Sequence, residues 1–280
     1  MMKNAAVRRF FKRKASVVGL VLLVIFFGMA LFGPLLCPLD PLEQDVKSTH
    51  QGPSKEHWFG TDYLGRDTFT RIVYGARTSL LLSFSGVLAG SLIGIILGLV
   101  AGYYGKTVDA VISRIIDILL AFPGLLLAMT IVAILGNGLV NTGIAIAVFS
   151  IPSMARMIRA ETINLRNQQY VSATRVMGGS NFRIIATHVL PNAISQIIVN
   201  ITLGLGAAIL TASSLSFLGL GVQPPYPEWG AMLNKAKDAL RLNPAEAIFP
   251  GLVITLVVIS FSLVGDGLRD ALDPKLKNVS

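Results

Sequence analysis

Thr78-Ser-Leu-Leu-Leu-Ser-Phe-Ser-Gly-Val-Leu-Ala-Gly-Ser-Leu-Ile-Gly-Ile-Ile-Leu-Gly-Leu-Val-Ala-Gly-Tyr-Tyr-Gly105 carries no charged side chain and places glycine at 86, 90, 94, 98 and 102. A helix needs about 20 apolar residues to cross a hydrocarbon core about 30 Å thick, so this stretch reads as a membrane span. Gly86, Gly90, Gly94, Gly98 and Gly102 strip the side chains from one face and let a second helix backbone approach it. Each four-residue step advances about 400° around the axis, so the strip drifts by about 40° per step and favours a crossed, right-handed contact. The same bare groove is alternatively a pore lining.

The rest of the chain has the same character. It is 53% hydrophobic and 14% charged, against about 25% charged in an ordinary soluble domain. Val17 to Leu36 is an uncharged first span. Ile118 to Ala155 is also uncharged but too long for one crossing at about 1.5 Å per residue, so it folds back, with Gly136-Asn-Gly138 and Asn141-Thr-Gly143 as the turn. Ile194 to Leu215 and Ala247 to Val264 supply a fifth and a sixth span. The expected fold is an all-α polytopic membrane protein with six transmembrane helices and both termini on one side.

The amino end is basic at Lys3, Arg8, Arg9, Lys12, Arg13 and Lys14, and short loops rich in Lys and Arg stay cytoplasmic. This predicts an inner set of Lys106, Arg156, Arg159, Arg166, Arg175, Arg183, Arg269, Lys275 and Lys277. Lys47, Lys55, Arg66, Arg71, Arg77, Lys235, Lys237 and Arg241 fall outside, in loops where acidic residues outnumber them. The net charge of +9 is then a topology signal, with no nucleic-acid role. The organisation that follows is 1–37, amino terminus and first span; 38–77, an extracytoplasmic loop; 78–268, a five-helix core; and 269–280, a cytoplasmic tail. Within the core lie a cytoplasmic loop, 156–193, and an extracytoplasmic re-entrant loop, 217–246. The first apolar run is too long for a usual signal-peptide core, and Leu36 stands where a lipoprotein signal wants a small residue before its cysteine. Cys37 is the single cysteine, which excludes an internal disulfide.

Between the fourth and fifth spans lies Arg166-Asn-Gln-Gln-Tyr-Val-Ser-Ala-Thr-Arg-Val-Met-Gly-Gly-Ser-Asn-Phe-Arg-Ile-Ile-Ala-Thr-His-Val-Leu-Pro-Asn192. Tyr170, Ala173, Thr174 and Met177 recur at helical spacing, and Gly178-Gly179 supplies the positive-φ residue that ends a short helix. A second helical piece, Asn181 to Val189, is expected to stop at Pro191. The loop either docks another protein or is held to lipid headgroups by Arg166, Arg175 and Arg183.

This loop resembles the coupling loop of the membrane subunits of binding-protein-dependent ABC importers. Their motif runs Glu-Ala-Ala, three residues, Gly, nine residues, then Ile-x-Leu-Pro. Ala173, Gly178, Leu190 and Pro191 stand where the motif asks, while Ser172, Thr174 and His188 replace its Glu, second Ala and Ile. Tyr170-Val171 and His188-Val-Leu-Pro-Asn192 resemble the dipeptide, oligopeptide and nickel branch. So do Gly60-Thr-Asp-Tyr-Leu-Gly-Arg-Asp67, Tyr74-Gly-Ala-Arg-Thr-Ser-Leu80, Phe217-Leu-Gly-Leu-Gly-Val-Gln-Pro-Pro-Tyr-Pro-Glu-Trp-Gly230 and Gly265-Asp-Gly-Leu-Arg-Asp-Ala-Leu-Asp-Pro-Lys275, which together point to its C-type permease subunit.

The resemblance implies a type I ABC importer transmembrane fold in a bacterial inner membrane, paired with a B-type permease subunit. Two cytoplasmic ATPases would bind ATP and Mg, this chain binding no cofactor, and an extracytoplasmic binding protein would deliver the solute. It also implies that Tyr170 to Met177, with Val171, Ser172, Ala173 and Thr174, sits in an ATPase groove. The implied cargo is a dipeptide or oligopeptide, alternatively nickel or a nickel chelate.

Several further groups carry expectations of their own. Arg114 and Asp117 are three apart on the third helix and form either an intrahelical ion pair or part of a translocation path, with Asp109 nearby. Pro123 and Pro152 are expected to interrupt the third and fourth spans. Asp62-Tyr-Leu-Gly-Arg-Asp67 suits a hydrogen-bonded clasp or a partner's charged rim. Leu218–Pro227 reads as a re-entrant scoop buried against protein, followed by a surface helix with Trp229 as an interfacial anchor. No phosphate-cradling loop followed by Lys-Ser or Lys-Thr is present, and His50, His57 and His188 have no metal spacing on one helix face. The rival classes are a passive channel and an intramembrane enzyme built on Asp117, Asp109 or Asp266.

Overall fold

The computed structural model describes residues 2–272; residues 273–280, with Lys275 and Lys277 of the expected inner set, lie outside the described residues. A short basic helix, α1 (Met2–Lys12), is separated by Arg13 from the first span, α2 (Lys14–Leu36). A loop then leads to α3 (Thr68–Tyr104), which starts inside the segment expected to be loop because the Asp67 carboxylate caps it, accepting from the Thr70 N–H at 2.7 Å. There follow α4 (Lys106–Ala121), α5 (Gly124–Leu135), α6 (Leu139–Arg166), α7 (Gln169–Val176) and α8 (Asn181–Ile184). A single π-turn, Ile185–Val189, leads into α9 (Leu190–Phe217), and α10 (Trp229–Ala236) and α11 (Ala245–Leu272) complete the chain.

Among the described residues five helical stretches are long and apolar enough to cross a membrane, and α4 with α5 makes a sixth, bent by 91°. The third span is therefore broken at Phe122–Pro123, where proline has no N–H to continue the ladder and its carbonyl accepts from Leu127 to start α5 (3.0 Å). The turn to α6 is Gly136–Gly138 alone. Asn141, Thr142 and Gly143 belong to α6, from which the Asn141 amide caps α5 by donating to the carbonyls of Leu135 (2.8 Å) and Gly136 (3.0 Å). Contrary to expectation, Pro152 does not interrupt its span; α6 runs unbroken past it. Nor does a helix stop at Pro191. The π-turn just before it absorbs the missing donor, and proline sits in the first turn of α9, where no N–H is needed.

The glycine strip lies against α6. A methyl group at Gly86 would come within 2.6 Å of Ile146, at Gly94 within 2.8 Å of Met154, at Gly98 within 2.6 Å of the Ala155 carbonyl oxygen, and at Gly102 within 2.6 Å of Thr162. At Gly90 it would overlap the carbonyl oxygen of Ala147. Residue numbers climb together on both helices, so α3 and α6 run parallel. Their bare contact extends over about 24 Å at about 1.5 Å per residue, most of a hydrocarbon core. Phe27, Phe84 and Phe261 join α2, α3 and α11 through edge and tilted ring contacts, with centroids 5.5 Å (Phe27 to Phe84) and 6.0 Å (Phe84 to Phe261) apart.

At the other end, Asp62 closes the expected clasp. One carboxylate oxygen accepts from the N–H groups of Leu64 and Arg66, the other from the Arg66 guanidinium at 2.7 Å. Trp229 is not an interfacial anchor. It is fully buried, donates its indole N–H to the Ile72 carbonyl at 3.0 Å and meets Phe26 edge-on, so both its polar and apolar parts are satisfied inside. The buried Glu228 carboxylate caps α10 by accepting from Gly230 and Ala231, and burial pushes its pKa up against the pull of those bonds. Within this chain Leu218–Pro227 is only partly covered, with Val222 buried. Leu218 and Tyr226 are 50% and 65% exposed, and the turn is the C-terminal unwinding of α9, with Leu220 and Gly221 donating to the Leu215 carbonyl.

Candidate functional site

The loop between α6 and α9 folds into a compact knuckle. Val171 of α7 is fully buried against Ile184, Val189 and the ends of α3 and α6, anchoring the helix by one apolar side chain. The helix ends in a Schellman motif: Gly179 donates to the Thr174 carbonyl at 3.0 Å and Gly178 to the Arg175 carbonyl at 3.1 Å. Gly178 has φ +84, the left-handed conformation that this turn requires and that side chains resist. Ser180 then caps α8, accepting from the Arg183 N–H.

Of the residues expected at this site, Ser172, Ala173, Met177 and Gly178 lie on the open side of the knuckle. Thr174 turns inward, its hydroxyl 3.2 Å from His188 Nε2, and the Tyr170 ring packs on the same imidazole. Leu190 packs into the cluster around Val171 rather than on the open side, and Pro191 is exposed on α9. Sequence reasoning found Met177 on the open face but missed its two large apolar neighbours, Val176 and Phe182. Val176, Met177 and Phe182 are 88%, 78% and 80% exposed, an apolar patch around a basic loop. The signal was present in two large apolar residues, Val176 and Phe182, that flank the Gly178-Gly179 turn of an otherwise basic loop.

A second missed residue joins this knuckle to the span bundle. Tyr103, buried at the end of α3 one residue past the last seam glycine, donates its hydroxyl to Asn181 Oδ1 at 2.9 Å and lies under the Arg175 guanidinium. Its carbonyl accepts from Arg166 at 2.9 Å. One residue of α3 thus touches the last turn of α6, the end of α7 and the start of α8.

Arg114 and Asp117 do not pair. Asp117 accepts from Arg156 of α6 at 3.0 Å, and Asp109 is held by the Arg159 guanidinium in a bidentate contact, while Arg114 is exposed. Helical spacing allowed the intrahelical pair, but α6 presents Arg156 and Arg159 on successive turns, one toward each acid, and the two-bond contact is the one between Arg159 and Asp109. These pairs tie α4 to α6 near the knuckle.

Between the spans lies a cleft of about 440 Å³, walled by the bend of α4 into α5 (Leu119, Phe122, Gly124) and by α3, α6 and α9. Ser91, Ser150, Ser153 and Asn200 line it beside Phe122 and Phe149, and none of its lining residues is charged. The Phe149 ring sits directly on Gly124, so the bend and α6 interlock there. Such a surface offers hydrogen bonds without a fixed charge to trap an ion.

Residues 94–278 match the model of the family described as binding-protein-dependent transport system inner membrane component, and residues 4–53 match the N-terminal transmembrane domain of oligopeptide transport permease C. The chain is 51% identical to the dipeptide transport system permease protein DppC of Alkalihalophilus pseudofirmus, over 95% of this chain and 88% of that protein. It is 47% identical to the glutathione transport system permease protein GsiD of Pectobacterium atrosepticum, over 97% of this chain and 90% of that one. Among solved structures, the inward-facing MetNI methionine ABC transporter shares the fold with a TM-score of 0.59 at 19% identity, over 72% of this chain and 97% of that chain.

Proposed function

This chain belongs to the binding-protein-dependent transport system inner membrane component family, a multi-pass inner membrane permease of the dipeptide and oligopeptide branch, and from that premise we propose that it passes small peptides through the cleft between α3, α5, α6 and α9. The observation that carries the reading is the pairing of an uncharged, largely apolar cleft carrying four polar side chains with an exposed apolar knuckle that joins two of the same helices, α6 and α9. A passive channel has no use for the second. The peptide names of the relatives favour peptide cargo over nickel. Uptake of a labelled dipeptide by the purified complex in proteoliposomes, resisting competition by excess nickel, tests the cargo; uptake that nickel abolishes would reverse it.

We assign the knuckle to an ATPase subunit that binds ATP and Mg, with Ala173, Val176, Met177 and Phe182 as the contact surface. A B-type permease subunit and an extracytoplasmic binding protein complete the assembly, and both termini and the knuckle are cytoplasmic. With Cys37 replaced by Ser, a lone cysteine at Lys237 should react with an impermeant thiol reagent in intact cells, and one at Ser180 only after permeabilisation. The opposite pattern would invert the topology.

Tyr103 then transmits motion of the knuckle to α3. Tyr103→Phe keeps the ring beneath Arg175 but removes the hydroxyl bond, a change of about 1 kcal/mol that leaves assembly intact. Dipeptide uptake per ATP hydrolysed should fall by about 3- to 10-fold, the size of one such bond. An unchanged ratio would make the contact structural only.

A further inference from the structure

The amino-terminal helix has two faces, and protein covers only part of one. Over residues 6–12, at about 100° per residue, Phe10, Val7 and Phe11 share an apolar arc, while Arg8, Lys12 and Arg9 occupy the opposite side. Phe10 is buried, its ring close to Gly267 of α11, and Arg13 pairs with Asp270 on the same helix. These contacts fix the helix against α11. Val7 and Phe11 are nevertheless 55% and 54% exposed, and the exposed apolar surface continues up α2 through Val18 and Val21.

Only Arg13 separates α1 from a membrane span, so α1 lies at a bilayer surface whichever way the chain is oriented. Positive residues that merely set topology need no particular arrangement around a helix. Segregation opposite an uncovered apolar strip is what an interfacial helix requires, apolar side chains in the acyl boundary and cations among the headgroups. We propose that α1 is a lipid-binding element that seats on anionic phospholipid headgroups of the leaflet in which α2 begins. Val7 and Phe11 enter the acyl boundary, and Arg8, Arg9 and Lys12 lie over the phosphates. This goes beyond the transport reading and needs only that α2 spans the membrane.

The test uses the full-length chain, purified with the subunits that accompany it, carrying Val7→Cys labelled with an environment-sensitive dye in a Cys37→Ser background. The complex is placed in nanodiscs of phosphatidylcholine alone or mixed with phosphatidylglycerol, and quenching is read with neutral acrylamide. The dye should be protected in the anionic discs and exposed in the zwitterionic ones. Combined Arg8→Gln, Arg9→Gln and Lys12→Gln should lower the seated-to-free ratio on the order of 100-fold, the product of about fivefold for each charge. Raising salt on the unsubstituted protein provides the same reading if the triple variant fails to assemble, since screening should expose the dye in anionic discs. Equal quenching in the two lipids, or protection that survives both charge removal and salt, would overturn the proposal.

Discussion

Gly90→Leu should lower the amount of assembled permease in the membrane by at least about tenfold, because any side chain there collides with backbone, and overpacking costs of 1–3 kcal/mol or more reach that range. Its Cβ would overlap the Ala147 carbonyl oxygen, which cannot turn aside as a flexible side chain can. Relief requires moving α6 away from α3, and every neighbouring seam contact opens with it. The control is Gly28→Leu on α2, where nothing lies within 4 Å of the added carbon. Quantifying tagged chain and co-purifying subunits in membranes separates the two. Equal accumulation of both variants would show that the seam tolerates bulk and that the packing argument fails.

The second large effect is expected at the knuckle. Ala173→Asp brings a carboxylate onto a surface surrounded by exposed Val176 and Met177. If that surface closes on an ATPase, burying an unpaired charge costs several kcal/mol, and docking should weaken by roughly 100-fold or more. Gly178→Val acts by another route. The space beside Gly178 is empty, so the variant is hindered only by its backbone, φ +84, which a β-branched residue adopts poorly. Both variants should insert at near-normal levels yet lose dipeptide uptake and peptide-stimulated ATP hydrolysis in proteoliposomes. Full stimulated hydrolysis in both would exclude the knuckle as the drive surface and strengthen the passive-channel alternative.

These variants also separate what was legible in the sequence from what was not. The glycine period at 86 to 102 announced a close helix neighbour, because repeated loss of side chains at four-residue spacing has that physical use. It named neither the partner nor its direction, since a period has no sign; α6 and the parallel sense came only from the structure. Gly178 was legible because its turn is local, whereas the partner of Asp117 was not, because Arg156 lies 39 residues away and outcompeted a nearer cation. Trp229 was misread for a related reason. An amphipathic ring suits an interface, but Phe26, Gly75 and the Ile72 carbonyl gave it a complete set of partners inside. The two prolines diverged by context: at Pro123 the rule against continuing a helix prevailed, and at Pro191 a π-turn accommodated it.

The parallel seam has a mechanical consequence. Two helices locked backbone to backbone along most of a bilayer's thickness behave as a single girder, which can tilt or pivot but cannot shear along its length without driving Cα atoms into carbonyls. Deformation must then concentrate where the frame is jointed, at the elbow of Phe122–Pro123 and at the π-turn preceding Pro191. A push delivered to the knuckle, which is bolted to the girder through Tyr103, would swing it as one lever and leave those two joints to take up the strain.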